Sequence, residues 1–438
     1  MPAFSLDPPQ SAWCAELRAL AAERLRPLAE KGEPGHVNRA LVAELAQLGL
    51  LERLFTSGAV DLCLMRESLA YACTEAETAL ALQGLGAHPV HAHGTPAQRE
   101  RWLPRVADGT AIAAFALSEP AAGSDAAALE LRAEAGAAGA AVYRGGGGGG
   151  SAPAAEPEGG LPVTAASVMA GEPASAGEPA SAAEPASAAE SALVAESDGG
   201  ARWRLTGEKC WISNAPEADF YTVFARTTPG AGARGVTAFL VPADRPGLTG
   251  TGLDMLSPHP IGALSFDAVP VTADDVLGEV DRGFRVAMGT LNLFRPSVGA
   301  FAVGMAQAAL DATLTHTAER DAFGGKLKDL QSVAHQVAEM ALRTEAARLM
   351  VYAAATAYDE GAADVPKRAA MAKLLATETA QYVVDQAVQL HGARALRRGH
   401  LLEHLYCEVR APRIYEGASE VQRGIIAKEL YATREAAQ

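Results

Sequence analysis

The spacing of apolar residues changes character twice along the chain, and this change limits the possible folds more than any other feature. Up to about residue 109, apolar residues recur at helical intervals, as at Leu41, Leu45 and Leu48. The next part of the chain has short β-branched and aromatic runs between Gly and Pro turns. Helical spacing then returns and continues to a predicted helix end near Gly392.

The chain is therefore predicted to be an α+β protein with three parts. We expect an N-terminal α-helical domain over 1–109, a middle β-barrel-like or sandwich domain over 110–280, and a C-terminal four-helix bundle over 281–438. With 438 residues, the chain is long enough for several domains and a large buried core.

A low-complexity segment interrupts the β region. Six consecutive glycines occupy 145–150, and a repeat of the Glu-Pro-Ala-Ser-Ala type follows. Residues 151–200 contain eight acidic residues and no Lys, Arg or aromatic residue. Because this composition buries too little apolar surface to offset the entropy of ordering, we expect a disordered insert at about 145–200. The flanking runs at 129–133 and 203–206 have strand character, so the insert is expected to lengthen a surface hairpin.

Charge and hydropathy argue against two classes of partner. Lys and Arg number 37 against 52 Asp and Glu, and the resulting net charge of −15 disfavours binding to nucleic acid. No apolar run approaches the roughly 18 residues that a membrane span needs, so no membrane association is expected.

Cysteine and histidine positions favour neither a disulfide framework nor a metal site. The five cysteines are odd in number and widely separated, so we expect reduced thiols. The first residues lack the pattern of a targeting signal, and a cytoplasmic protein is expected. His88, His91 and His93 are close in sequence, but no thiolate or paired carboxylate completes a ligand set, so structural or surface histidines are favoured over a metal site.

Residues 230–235, GAGARG, match the Gly-x-Gly-x-x-Gly pattern of dinucleotide-binding sites. The pattern leads into another strand-like run at 236–241, whereas a pyrophosphate site requires the N-terminus of a following helix. A hairpin turn is therefore the favoured interpretation.

Two segments of the β region have the features of a site for a flat ring. Residues 115–125 read FALSEPAAGSD, where small residues and a hydroxyl precede a Gly-Ser turn whose free N–H groups suit an anion. Residues 207–214 read GEKCWISN, where Trp211 offers an aromatic wall and Ser213 a donor. The alternative interpretation of the first segment is an ordinary strand and turn. The presence of the second segment favours a binding site for a flat ring.

With these segments, four further motifs resemble the acyl-CoA dehydrogenase family of flavoenzymes. The motifs are GTPAQ to WLP at 94–104, RDAFG at 320–324 with Gln331, QLHG at 389–392 and IYEGASEVQR at 414–423. The resemblance covers nearly all of the chain outside the insert. It implies FAD as the cofactor and removal of hydrogen from Cα and Cβ of an acyl thioester.

The resemblance also implies roles for individual positions. Contacts to the flavin ring are implied for Phe115, Leu117, Ser118, Trp211 and Ser213. Contacts to the FAD pyrophosphate and adenosine of an adjacent subunit are implied for Arg320, Phe323, Gln331, Gln389 and Gly392. Substrate contacts are implied for Ser124, near the phosphates of the thioester carrier, and for Arg295, near the active centre. A cofactor site shared in this way implies a homodimer or homotetramer.

Glu416 matches the catalytic base of the family. A carboxylate in an apolar pocket has a raised proton affinity, which removal of a weakly acidic proton requires. Some branches of the family place the acid on the helix around 291–295, but this segment reads LNLFR and has no acid. Glu416 is therefore the single candidate among the matching positions, with an exposed loop glutamate as the alternative.

The implied reaction is α,β-dehydrogenation of an acyl-CoA to the trans-2-enoyl thioester, with electrons passing to an electron-transfer flavoprotein. An acyl or peptidyl group on a carrier protein is an alternative substrate, and oxygen is an alternative acceptor. A flavin-binding protein of this fold without dehydrogenase activity is the alternative class. The presence of Glu416 and the lack of an added basic domain argue against that class.

Overall fold

A computed structural model describes residues 6–136 and 202–436. The insert predicted at about 145–200 lies outside these described residues. The described chain before the sheet forms helices α1 (Pro8–Leu20), α2 (Arg26–Ala29), α3 (Arg39–Gln47), α4 (Leu50–Thr56), α5 (Ala59–Ala72), α6 (Thr74–His93) and α7 (Pro96–Ala107), with a π-helical turn between α1 and α2.

The middle and C-terminal elements follow in chain order. The strands of the main sheet are β1 (Ala113–Ala116), β2 (Arg132–Ala135), β3 (Trp203–Ser213), β4 (Phe220–Arg226), β5 (Val236–Pro242), β6 (Leu248–Gly252), β7 (Ile261–Val271) and β8 (Val276–Leu277). The remaining elements are α8 (Gly283–Glu319), β9 (Asp321–Ala322), β10 (Gly325–Lys326), α9 (Gln331–Asp359), α10 (Val365–His391), α11 (Leu401–Glu408) and α12 (Ser419–Ala436). The helical, β, helical order confirms the predicted α+β class.

Local sequence determines where several N-terminal helices begin and end. Thr95 and Gln98 form a reciprocal capping box at the start of α7, which satisfies amides that have no partner within the helix. Leu41 and Leu45, on the predicted apolar face of α3, are buried. Gly49 separates α3 from α4 with a φ of 71°, a conformation that suits glycine. The apolar faces of α3, α5 and α6 pack against the sheet in one buried cluster.

The sheet explains the two hairpins predicted from sequence. Its strands lie in the order β6-β7-β3-β2-β4-β5-β8, and β1 pairs with β4 in parallel. β2 and β3 pair antiparallel, from Arg132 opposite Thr206 to Ala135 opposite Trp203, so the flanks of the insert form the two sides of a hairpin. The segment 230–235 joins the antiparallel strands β4 and β5, which confirms that it is a turn.

Helix α8 is the centre of the C-terminal helical part. It packs against α5, α9 and α10, and α10 packs against α12. By length and composition α8 is apolar enough to cross a membrane, but most of its apolar stretch is buried inside the protein and belongs to the core. α10 ends at His391, and Gly392 takes a φ of 66°, which confirms the predicted helix end.

Candidate active site

A buried ion pair holds together the two segments predicted to contact a flat ring. Lys209 in β3 donates from Nζ to the Leu117 carbonyl at 2.9 Å and to Oε1 of Glu119 at 2.7 Å. The Cys210 amide donates to the Ser118 carbonyl at 3.0 Å, so the chain after β1 lies directly beside β3. Lys209 is fully buried, and this burial lowers its pKa to about 8 although Glu119 acts in the opposite direction. The two segments therefore form one continuous surface.

The sequence analysis assigned no role to Lys209 or Glu119, although both lie inside the quoted motifs. The Glu119 carboxylate also accepts the amides of Glu130 at 2.5 Å and Leu131 at 2.9 Å, so it closes the loop that follows β1. A signal was present in the strand pattern: Lys209 lies on the same face of β3 as buried Leu205. An inward-facing lysine requires an acidic or carbonyl partner.

A β-bulge directs Trp211 away from the sheet. The register of β3 against β7 shifts between Lys209 and Ile212, and Trp211 itself has a φ of 57°. Trp211 is 49% exposed, and Ser213 is half-buried at the end of the strand. An exposed indole provides an apolar surface on which a flat ring can stack.

The other residues predicted from the first motif differ in accessibility. The Phe115 ring packs on Phe224 with 4.9 Å between ring centroids, and Leu117 is buried. Ser118 is half-buried beside β3, whereas Ser124 lies on an exposed turn. The structure thus brings Ser118 close to the bulge of Trp211 and leaves Ser124 at the surface.

The loop of residues 414–418 holds Glu416 in a constrained backbone conformation. Glu416 has a φ of 51° and Gly417 a φ of 96°. The Glu416 carbonyl accepts Nε of Arg295 at 3.2 Å and Nε2 of Gln422 at 3.0 Å. The Gly417 carbonyl accepts Nζ of Lys373 at 2.7 Å and Nε2 of Gln422 at 2.9 Å. Side chains from α8, α10 and α12 therefore fix the main chain beneath the carboxylate.

The carboxylate of Glu416 is available as a proton acceptor. Its Oε2 atom is buried and has no hydrogen-bond partner among the described residues. Burial raises the pKa of Glu416, while the nearby cations Arg66, Lys373 and Arg295 act in the opposite direction. The result is a carboxyl group with a higher proton affinity than an ordinary glutamate.

Arg66 is a charged neighbour of Glu416 that the sequence analysis did not single out. It is buried, pairs with Glu77 of α6, and donates from Nη1 to Oγ of Ser297 at 2.7 Å. The pair joins α5, α6 and α8 beside the base. Its sequence signal is an arginine in the interior of α5, AVDLCLMRESLAYA, whose neighbours are mostly apolar and buried.

The residues expected to contact FAD in an adjacent subunit follow the end of α8, begin α9 or lie at the end of α10. His316 in the last turn of α8 stacks on His391 with 4.2 Å between ring centroids, which joins the two helix ends. The residues of this group are Arg320, Phe323, Gln331, Gln389 and Gly392, and all five are exposed.

This exposed group is remote from the base of its own chain. Lys373, beneath Glu416, and Gln389 are sixteen residues apart on α10, which corresponds to about 24 Å along the helix axis. Phe323 is 90% exposed and has a φ of 54°, in the hairpin of β9 and β10.

The three histidines considered for a metal site lie at the end of α6. The ring centroid of His88 is 6.2 Å from that of Phe294, and burial lowers the pKa of His88 to about 4, so this ring is neutral. Within 6–136 and 202–436, no three or more His, Cys, Asp or Glu residues are arranged to hold a metal ion. All five cysteines are free thiols.

Domain models of one family match most of the chain. Models of the N-terminal, middle and C-terminal domains of acyl-CoA dehydrogenases match residues 7–110, 174–269 and 281–431. Among curated relatives, the probable acyl-CoA dehydrogenase FadE25 of Mycobacterium tuberculosis is 30% identical, over 98% of this chain and 96% of its own. The mitochondrial short-chain specific acyl-CoA dehydrogenase of Bos taurus is 32% identical, over 94% of this chain and 88% of its own.

A solved structure has the same arrangement over the whole chain. It is described as the electron transferring flavoprotein of Acidaminococcus fermentans, in work on flavin-based electron bifurcation. The chain in that structure is 26% identical with a TM-score of 0.78, and the match covers 98% of this chain and 99% of the other. The three domain models and the near-complete coverage of these relatives show that this chain belongs to the acyl-CoA dehydrogenase family.

Proposed function

We propose that this protein removes an α-proton and a β-hydride from an acyl-CoA, giving the trans-2-enoyl thioester, with Glu416 as the base. The observation that carries the proposal is the Oε2 atom of Glu416, which is buried and has no hydrogen-bond partner within the described chain. Because burial raises the pKa of this group, it suits the abstraction of a proton from a weakly acidic carbon. Membership of the family supports the same reaction class.

FAD is the cofactor of this family, and the predicted cofactor is thereby confirmed. When bound, FAD supplies the acceptor for the hydride that leaves Cβ. The exposed indole of Trp211 and the half-buried hydroxyls of Ser118 and Ser213 fit one side of a flat ring. The proposed ring contacts are Phe115, Leu117, Ser118, Trp211 and Ser213, of which the first two pack mainly in the core.

A second copy of the chain is proposed to complete the cofactor site. The exposed group at the ends of α8 and α10 lies far from Glu416 of the same chain, so it is assigned to a different FAD molecule from the one beside Glu416. The group includes a guanidinium, which suits a pyrophosphate. We therefore assign Arg320, Phe323, Gln331, Gln389 and Gly392 to the FAD of a neighbouring subunit. A homodimer or homotetramer follows from this assignment.

The remaining parts of the reaction are assigned by chemistry. The exposed turn at Ser124 is proposed to contact the phosphates of the thioester carrier, and Arg295 holds the main chain of the base at 3.2 Å. An electron-transfer flavoprotein is the proposed electron acceptor, which the description of the Acidaminococcus structure supports. A reducing, cytoplasmic location is proposed because all five cysteines are free.

Anaerobic mixing of the FAD-loaded protein with a panel of acyl-CoAs tests the proposal, with loss of flavin absorbance as the signal. The Glu416→Gln variant should keep its FAD and bind acyl-CoA, but its flavin should be reduced about 10²- to 10⁴-fold more slowly, because only the proton acceptor is lost. Glu420→Gln is the matched control, since this exposed glutamate lies in the first turn of α12, four residues later, and pairs loosely with Arg423 at 3.6 Å.

Three results would contradict parts of the proposal. Reduction of the Glu416→Gln variant at nearly the wild-type rate would exclude Glu416 as the base. If thioesters of an acyl carrier protein reduced the flavin and none of the acyl-CoAs did, the substrate would be a carrier-protein thioester instead of an acyl-CoA. If air reoxidised the reduced flavin in preference to an electron-transfer flavoprotein, oxygen would be the electron acceptor.

A further inference from the structure

A buried lysine beneath Glu416 has an unusual partner. Lys373 of α10 is fully buried, and its Nζ atom donates to the Gly417 carbonyl at 2.7 Å. Two other buried cations, Arg66 and Lys209, each form an ion pair with a glutamate. Burying an ammonium group costs free energy unless charges and hydrogen bonds compensate. Lys373 is instead bound to the main chain, at the residue that follows the base.

Among the described residues, Glu416 has the one carboxylate near Lys373 that remains available to interact with the lysine charge. Glu378, on the same helix, is bound by the Ser419 hydroxyl at 2.6 Å and by Arg413 at 3.0 Å. Glu420 on α12 is exposed, where solvent screens its charge. The Oε2 atom of Glu416 is buried and unpartnered within the described residues. The ammonium and this carboxylate interact electrostatically, and the hydrogen bond to the Gly417 carbonyl places the ammonium at the residue that follows the base.

We propose that Lys373 is a positioning residue for the base: its ammonium fixes the peptide between Gly417 and Ala418, directly after the base, and keeps the Glu416 carboxylate ionised between turnovers. The inference rests on the proposed role of Glu416. The hydrogen bond stabilises the left-handed conformation of the base, and the positive charge favours the form that can accept a proton. Arg66 from α5 and Arg295 from α8 also face the Glu416 carboxylate, and their charges act on it in the same direction as that of Lys373.

The effects of burial and charge on both groups agree with this assignment. Lys373 lowers the pKa of Glu416 and so opposes the effect of burial. The pKa of Lys373 is itself lowered to about 8 by burial, against the raising effects of Glu416, Glu378 and Glu420. Below pH 8 the lysine is therefore charged, and it supports an ionised Glu416 across the neutral range.

The test is the pH dependence of the Glu416 carboxyl group in the FAD-loaded protein without substrate. Infrared difference spectra recorded at a series of pH values show the bands of protonated carboxyl groups. The band that is absent in the Glu416→Gln variant is assigned to Glu416. In Lys373→Met the midpoint of that band should move up by about one pH unit, because a buried positive charge has been removed. The acid limb of flavin reduction by acyl-CoA should move by the same amount.

Two further variants separate charge from packing. Lys373→Arg keeps the charge and should keep the wild-type midpoint. Lys367→Met, on the same helix, removes a lysine that pairs with Asp364 at 3.1 Å, remote from the base, and should leave the midpoint unchanged. If Lys373→Met fails to fold, Lys373→Gln removes the charge while keeping a donor for the Gly417 carbonyl, and should shift the midpoint in the same direction.

An unchanged midpoint in the Met or Gln variant would overturn the inference, even if flavin reduction became slower, because slowing alone also follows from lost packing. The measurement remains decisive if no acyl-CoA reduces the flavin, since the carboxyl band is read without turnover. Failure of the proposed reaction and failure of this inference are thus separate results.

Discussion

The region around Glu416 and Lys209 and the region around Arg320 and Phe323 differ in how much of their structure a single chain supplies. In the first, the buried cations and the main-chain carbonyls of the base loop are bound within the chain, as in the 2.7 Å pair of Lys209 with Glu119 and the three donors to the carbonyls of Glu416 and Gly417, while Oε2 of Glu416 has no partner among the described residues. In the second, a guanidinium and an aromatic ring are exposed at the joined ends of two helices. Folding of one chain therefore forms the first region, whereas the other region is the one that we propose a second copy completes.

The largest expected effect is on the stability of the first region. Lys209→Met should lower the free energy of unfolding by about 3–5 kcal/mol, because Glu119 becomes a buried charge without its cation. FAD content should fall with it, since the chain bearing Ser118 loses the Lys209 hydrogen bonds that bind Leu117 and Glu119 to β3. Denaturant unfolding followed by circular dichroism, with flavin absorbance per protein, measures both.

Lys326→Met is the matched control for this prediction. Lys326 pairs with Asp321 at the same 2.7 Å distance, but both side chains are substantially exposed. Its loss should cost at most about 1 kcal/mol, because solvent screens the pair. Equal losses of unfolding free energy in Lys209→Met and Lys326→Met would contradict the prediction that the buried pair stabilises the protein more than the exposed pair.

An intermediate effect is expected at the exposed region. Arg320→Ala should weaken FAD retention by about 10- to 100-fold and should reduce oligomer content, while the secondary structure of the chain is preserved. Size-exclusion chromatography with light scattering and flavin absorbance measure the two effects. Arg320→Lys should restore only part of the loss, because an ammonium lacks the planar fork of a guanidinium.

Arg368→Ala serves as the control for Arg320, because this arginine on α10 forms an exposed pair with Asp364 at 2.7 Å. It should leave FAD content and assembly unchanged. Full FAD occupancy of an intact oligomer in Arg320→Ala would show that the exposed group does not hold the cofactor of a neighbour.

The smallest effect is expected for the insert. Replacing residues of about 145–200 with a short Gly-Ser link should change the free energy of unfolding by no more than about 1 kcal/mol, because loop length affects closure entropy weakly. Its flanks already pair as β2 and β3, and the Gly136 amide extends this pairing to the Arg202 carbonyl at 2.9 Å. Loss of soluble, FAD-containing protein would show that the insert contributes to the fold.

The order of elements and most candidate residues follow from sequence because their signals are local. Helical spacing at Leu41 and Leu45, the strands on either side of GAGARG and the helix end at Gly392 depend on neighbours within one or two turns. The motif around Glu416 is likewise a local signal, because it consists of consecutive residues. The domain boundaries, the roles of the site residues and the oligomer remain predictions.

The partners of the buried charges were decided only by the tertiary structure. Lys209 and Glu119 are 90 residues apart, Arg66 meets Ser297 from 231 residues away, and Lys373 reaches Gly417 across 44 residues. Sequence alone places an ionisable residue on an inward-facing position, but the choice of partner depends on which elements pack together. The environment of Glu416, and with it the direction of its pKa, therefore follows from the packing of α5, α8 and α10 around one loop, because desolvation and nearby charge are properties of the folded state.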